Sequence, residues 1–180
     1  MVKIFSKVHP NILTLIGLII TCIASLFYAI GIFWVGGIIL LIGGCFDTID
    51  GEVARRTGRV SKVGSFLDSC IDRYADFIIL FGMFLWYSRE AKNYIPTVLI
   101  LLAILGCFMV SYIRAKAESL SYDCKIGLGE RGFRIPFIAI GSLFGSKIFI
   151  GFLVILVIIT NITGVHRILV MWRNFKDSKV

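Results

Sequence analysis

Six mostly apolar runs, near 11–31, 33–56, 63–88, 94–119, 132–146 and 147–170, decide what this chain can become. About 20 apolar residues in helix cross roughly 30 Å of hydrocarbon. Inside hydrocarbon the backbone must satisfy its own hydrogen bonds, which a helix does within one segment. The 132–146 run is short and fits a less tilted or partly interfacial helix; the others are long enough to span. The chain is 58% hydrophobic and 17% charged, with mean hydropathy +0.91, where a soluble domain runs nearer a quarter charged. The expected fold is therefore an all-α integral membrane protein with six transmembrane helices.

Breaks fall at "GIFWVGG", "RTGRVSK", "YSREAKNYIP", "ESLSYDCKIGLGERG" and "GSLFGSK", and Trp34, Trp86, Tyr87, Tyr94 and Trp172 gather near segment ends, where amphipathic rings sit at the membrane interface. An even number of crossings puts both termini on one side. Of the 19 Lys and Arg, all but Arg89, Lys92 and Lys147 then fall on that side, which the positive-inside rule makes cytoplasmic. Residues 1–9, "MVKIFSKVH", lack a signal-peptide cleavage site and read as a short amphipathic juxtamembrane helix, with Val2, Ile4, Phe5 and Val8 toward lipid. Residues 10–172 form the six-helix domain and 173–180 a cytoplasmic tail. The expected location is the cell membrane, multi-pass, with the active site toward the cytoplasm. The net charge of +8 gathers on that face and suits anionic headgroups or phosphorylated substrates, so no nucleic-acid partner is needed.

Several residue types carry no chemistry. Cys22, Cys45, Cys70, Cys107 and Cys124 are odd in number and never form CxxC, so they read as small hydrophobes. His9 and His166 have no partner at ligand spacing, which argues against zinc or haem. The sequon "NIT" at 161–163 lies inside the last apolar run.

The informative stretch is "DTIDGEVARRTGRVSKVGSFLDSCID", residues 47–72, where acids interrupt the oil. On a helix, Asp47, Asp50, Gly51 and Ala54 share a face, and so do Gly64, Asp68 and Asp72, with Asp76 continuing the stripe. The second and third segments, read as antiparallel neighbours, would bring four carboxylates together at the cytoplasmic boundary. Uncompensated, such a cluster would repel itself and lose much of its hydration. Oxygen ligands without His or Cys point to Mg²⁺, Mn²⁺ or Ca²⁺, and four carboxylates suffice for a two-metal site suited to phosphoryl chemistry. Gly51, Ala54 and Gly64 would let a bulky ligand approach the backbone; the alternative is that they let helices pack closely. Arg55 can pair with a diphosphate or serve as a topological anchor.

These residues resemble the signature of the CDP-alcohol phosphotransferases, D-x2-D-G-x2-A-R-x8-G-x3-D-x3-D: Asp47, Asp50, Gly51, Ala54, Arg55, Gly64, Asp68 and Asp72 keep every spacing. The resemblance implies two metal ions, Mg²⁺ or alternatively Mn²⁺, one held by Asp47, Asp50 and Asp68 and the other by Asp47, Asp68 and Asp72. It implies that Asp72 is the general base and that CMP is released as the acceptor attacks. Gly51, Ala54, Arg55, Gly64 and Ser61 would line the CDP-alcohol, and Pro10 and Asn11 of "HPNILT" resemble the family's Pro-Asn entry. The family is typically homodimeric.

The acceptor must come from the cytoplasmic face, where Arg114, Lys116, Lys125, Arg131 and Arg134 form a basic cluster able to bind a second phosphate. "LDSCIDRYAD" and "SYIRAKAES" resemble the subgroup of phosphatidyl- and archaetidylinositol phosphate synthases, although Phe133 stands where that subgroup's G-x3-R-x-E-R has Glu. The reading is Mg²⁺-dependent transfer from CDP-diacylglycerol or CDP-archaeol to a phosphorylated polyol, inositol 1-phosphate, among membrane lipids. Two alternatives within the family are di-inositol phosphate synthesis from CDP-inositol and use of glycerol phosphate or serine. An alternative of another class is a cation or proton transporter. Transporter acids, however, sit near the midplane on broken, repeated helices.

Overall fold

The computed structural model describes residues 10–56, 58, 61–90, 94–124 and 126–177, with the backbone alone at Pro10, Asp47, Thr48, Asp50, Ala54, Arg56, Glu90 and Asp177. The expected juxtamembrane helix at 1–9, and Lys125, lie outside these residues. The described chain forms six helices: α1 (Pro10–Ala29), α2 (Phe33–Arg56), α3 (Lys62–Glu90), α4 (Ile95–Ser119), α5 (Arg131–Leu143) and α6 (Gly145–Asp177). No strand occurs among the described residues. Residues 173–177, expected in a tail, continue the last helix.

Helix ends follow local chemistry. Pro10 opens α1, where its missing N–H costs nothing. The same helix closes in a Schellman motif: Ile32 N–H donates to the Phe27 carbonyl at 2.9 Å and Gly31 N–H to Tyr28 at 3.0 Å, with Gly31 at φ +85°. The end of α4 uses the same pattern, Tyr122 to Ala117 and Ser121 to Glu118, both 3.0 Å. There a serine, not a glycine, takes the left-handed position, φ +64°.

The bundle is apolar outside and partly polar inside, as expected where the surrounding solvent is lipid. Ile12, Leu15, Ile19, Ile23 and Leu26 are exposed along one stripe of α1, while Thr14, Thr21 and Ser25 are buried on the other. Hydroxyls there are satisfied by backbone: Ser25 Oγ donates to the Ile78 carbonyl of α3 at 2.6 Å, and Thr21 Oγ1 to Gly17 at 2.9 Å. Among the described residues, four helices are long and apolar enough to cross a membrane: α1, α2, α4 and α6. Helix α5 has 13 residues, about 20 Å at 1.5 Å per residue, in line with the short run read there. Helix α3 has the length, at 29 residues, but its first half carries the acids.

Packing sets the site. Helix α1 lies against both α2 and α3, α2 against α5, α3 against α4, and α6 against α4 and α5. Among the described residues, no Cα of α3 comes within 8 Å of one in α2 or α5. This corrects the picture of α2 and α3 as directly packed neighbours. The polar face of α1, through Ser25 and its bond to Ile78, draws α3 onto α1 instead. A space is left that α2, α3 and α5 face without closing.

The main core includes Tyr28, Phe33, Leu40, Ile79, Met83, Ile100, Phe149 and Leu153. A second small core lies under the α4–α5 connection, where Ala117, Cys124 and Met171 pack with Tyr122 and Phe175, the two rings 5.0 Å apart and edge-on. It forms because α6, with 33 residues, is about 50 Å long and outruns roughly 30 Å of hydrocarbon.

Candidate active site

The stripe of acids on α3 behaves as its spacing requires. Asp72 and Asp76, one turn apart, point toward α5, whose first turns return Arg131 and Arg134. Arg131 Nη1 donates to Asp72 Oδ1, and its Nε lies 3.6 Å from Asp76 Oδ1. Arg134 Nη2 donates to Asp76 Oδ2, and its Nη1 to the Gly129 carbonyl at 2.6 Å. Arg73 Nη1 stands 3.8 Å from the second oxygen of Asp72. Long arginine arms thus bridge a gap that the backbones leave open. Their forked donors suit carboxylates, and pairing is what makes burial of such charges tolerable. Arg134 is 1% exposed, and one of its donors, Nε, is buried without a hydrogen-bond partner.

Two cavities meet at Asp72 and Arg131. The first, about 470 Å³, runs among α1, α2, α3 and α5 and is lined by Thr14, Gly17, Thr21, Gly43, Gly44, Cys45, Ile49, Ile71, Asp72, Arg131 and Ile135 with their neighbours. Apart from Asp72 and Arg131, its walls are small or apolar. Ile49, between Asp47 and Asp50 in the chain, faces this cavity together with Asp72. The second, about 390 Å³, is polar: Arg73, Arg114, Arg131, Arg134 and Arg167 line it with Asp72, Asp76, Glu118 and Glu130, beside Ser65, Ser69 and Ser111. Five guanidinium groups face four carboxylates. The basic cluster read from sequence is therefore largely charge-paired.

Of the expected donor-binding residues, Asn11, Ser61 and Gly64 come together. Gly64 N–H donates to Ser61 Oγ at 3.0 Å. A Cβ built on Gly64 would sit 3.0 Å from that oxygen and 3.3 Å from Asn11 Oδ1, so the glycine leaves a cradle a side chain would fill. Gly51 lies beside Arg55, whose Nη2 pairs with Glu52 at 2.9 Å in an exposed position. The side chains of Pro10, Asp47, Asp50 and Ala54 lie outside the described residues. Asp68 is half-buried on α3. Among the described residues no three metal-ligating side chains group together.

Of the expected acceptor-binding residues, Arg114, Arg131 and Arg134 line the second cavity, while Lys116 is exposed and not in its wall. Phe133, at the expected Glu position, stacks on Phe137 at 5.3 Å, outside both cavities. Cys107 and Cys124 are buried as small hydrophobes, but Cys45 is exposed and lines the first cavity. The sequon at 161–163 lies within α6, where Asn161 Nδ2 donates to the Leu102 carbonyl of α4 at 3.2 Å.

Sequence reasoning missed Arg167 and Glu130, and placed Asp76 on the acidic stripe without a role. Arg167, counted only as a topological cation, is 1% exposed. Its Nη1 donates to the Val110 carbonyl and its Nε to Ile126, both at 2.7 Å, and its Nη2 approaches Glu130 at 3.3 Å. Glu130 also receives Arg114 at 3.1 Å. The signal was present: a cation deep in an apolar run marks a functional interior by default.

Residues 7–175 match the profile of the CDP-alcohol phosphatidyltransferase family. The archaetidylinositol phosphate synthase of Pyrococcus horikoshii is 43% identical over 162 residues, 89% of this chain and 83% of that protein. Its counterpart from Methanothermobacter thermautotrophicus is 38% identical over 168 residues, 91% of this chain and 83% of that protein. The fold is that of Mycobacterium tuberculosis phosphatidylinositol phosphate synthase. Its crystal structure with CDP-DAG bound aligns at TM-score 0.85 and 23% identity, covering 92% of this chain and 87% of that one. Its structure with manganese and citrate aligns at 0.88 and 22%, covering 96% and 89%. None of these likenesses favours the transport reading. The chain belongs to the CDP-alcohol phosphatidyltransferase family, membrane enzymes of phospholipid synthesis that transfer substituted phosphate groups.

Proposed function

We propose that this enzyme transfers the substituted phosphate of a CDP-lipid, CDP-diacylglycerol or CDP-archaeol, to a hydroxyl of inositol 1-phosphate, releasing CMP. The carrying observation is the meeting of two unlike cavities at one carboxylate, Asp72. The names of the two archaeal relatives and the CDP-DAG bound by the mycobacterial structure support the donor and acceptor classes.

In this reading the cytidine diphosphate lies near Asn11, Gly51, Ala54, Arg55, Ser61 and Gly64, with Pro10 at the entry. The acceptor's phosphate is held in the arginine-lined cavity by Arg114, Arg131 and Arg134, and the charges of Lys116 and Lys125 would add to its attraction. Asp72 takes the proton of the acceptor hydroxyl. The oxygen attacks the phosphorus that carries the lipid alcohol, the bond from that phosphorus to the bridging oxygen breaks, and CMP leaves with that oxygen.

Asp47, Asp50, Asp68 and Asp72 would hold two divalent cations, Mg²⁺ or Mn²⁺. Such ions supply charge neutralisation for the diphosphate and the departing oxygen. The donor set fits: it is all carboxylate, and Asp72 faces the cavity and already meets a cation, Arg131. The manganese in the mycobacterial structure is in keeping with it. Six crossings, cytoplasmic termini, a cytoplasmic-facing site and a homodimer complete the reading. Its support is the one-sided distribution of Lys and Arg and the family resemblance.

The test is CMP release by the purified enzyme with Mg²⁺ and either CDP-lipid, with inositol 1-phosphate, glycerol 3-phosphate, serine or no acceptor. Release that requires inositol 1-phosphate and stops on chelation is expected. Release with another acceptor would replace the acceptor assignment, and release from CDP-inositol alone would replace the donor.

A further inference from the structure

Asp76 stands outside the family signature and inside the site. It lies one turn beyond Asp72 on α3 and is 7% exposed. One carboxylate oxygen receives Arg134 Nη2 and the other faces Arg131 Nε at 3.6 Å. Both arginines rise from the first turns of α5, a helix that packs on α2 and α6 and, among the described residues, not on α3. No backbone contact across this gap sets the angle at which they enter the cavities. An arginine arm has many rotamers, and holding two of them at one place takes a fixed partner on the far wall.

Asp76 is that partner. Asp72 lines both cavities, whereas Asp76 lines only the second. Arg131 reaches past it to Asp72, and both arginines line the second cavity, where the Nε of Arg134 is buried without a hydrogen-bond partner.

We propose that Asp76 is a positioning residue for the acceptor: it fixes Arg131 and Arg134 and so sets where the acceptor's anionic group is held relative to Asp72. This inference rests on the reading, given above, that the second cavity takes the acceptor. It adds a residue whose loss separates acceptor binding from donor binding.

The experiment uses full-length Asp76→Asn and Asp76→Glu enzymes, assayed for CMP release with each substrate varied in turn. Inorganic phosphate serves as a competitor, and melting temperature is recorded alongside. For D76N, the acceptor KM and the phosphate inhibition constant are expected to rise together by about tenfold, the scale of one charge-assisted hydrogen bond. The donor KM should change little. D76E, which keeps the charge on a longer arm, should fall between D76N and the parent. An unchanged acceptor KM in folded D76N overturns the inference. So does a rise in acceptor and donor KM in step with a lowered melting temperature, which marks a general structural role. If D76N does not fold, D76E decides: a raised acceptor KM at the parent's melting temperature supports positioning, and the parent's KM overturns it. Parent enzyme whose CMP release ignores both acceptor and phosphate would sink the acceptor reading itself. That result is separate from an unmoved variant in an acceptor-dependent enzyme.

Discussion

Replacing Arg167 by Met tests whether a buried cation organises the loop that carries the acceptor cavity. The guanidinium makes two 2.7 Å hydrogen bonds, to the Val110 carbonyl of α4 and the Ile126 carbonyl of the connection, and a 3.3 Å contact with Glu130. Methionine fills similar space without a donor, so both carbonyls lose the guanidinium. A hydrogen bond from a charged donor contributes about 1.5–3 kcal/mol net. Removing a buried charge recovers part of its desolvation cost. A net loss of about 2–4 kcal/mol follows, and at about 2–4 °C per kcal/mol for a chain of this size the melting temperature should fall by about 4–16 °C. Arg167→Lys should fall between, because one ammonium cannot span two carbonyls and Glu130. The assay is thermal unfolding of purified protein in detergent, with CMP release followed in parallel. Freed from Arg167, Glu130 keeps only Arg114 as a described partner, so the acceptor KM should rise with donor KM nearly constant. R167M that melts with the parent and keeps its acceptor KM would refute the reasoning.

Asp72→Asn should lower kcat by about 10²–10⁴, the usual contribution of a general base, while CDP-lipid binding persists; retained CMP release would defeat the base assignment. Gly64→Ala places a methyl 3.0 Å from Ser61 Oγ and 3.3 Å from Asn11 Oδ1. Donor KM should rise about tenfold without loss of melting temperature, and an unaffected donor KM would remove this cradle from the donor site. Gly37→Ala puts a Cβ 2.7 Å from the Ala139 carbonyl, where α2 meets α5. Overpacking of that kind costs about 1–3 kcal/mol, to be read as a fall in melting temperature; no fall would show that α5 can slide on α2. Chelation should abolish CMP release and Mn²⁺ should restore it, whereas metal-independent release would dismiss the carboxylate site as a metal centre.

Much of this protein was legible along the chain because the relevant signals are periodic and local. Long apolar runs impose helices in hydrocarbon, Gly31 and Pro10 punctuate them, and acids at i and i+4 from Asp68 to Asp76 must share a face. Chain order also carried the signature from Asp47 to Asp72, since its spacings lie within two helices and one short connection. What sequence could not decide is which helix stands beside which. Helices α2 and α3 are consecutive, which suggests direct packing, yet α1 lies against both and a cavity remains beside Asp72. Nor do i and i+4 rules reveal partners 37 to 59 residues apart, such as Glu130 with Arg167 or Asp72 with Arg131. Only packing converted a general excess of arginine into buried guanidinium groups with assigned carboxylates and carbonyls. The physical reason is range: helix formation and facial alignment are set within a few residues, whereas compensation of a buried charge is set by whatever the folded bundle brings within about 3 Å.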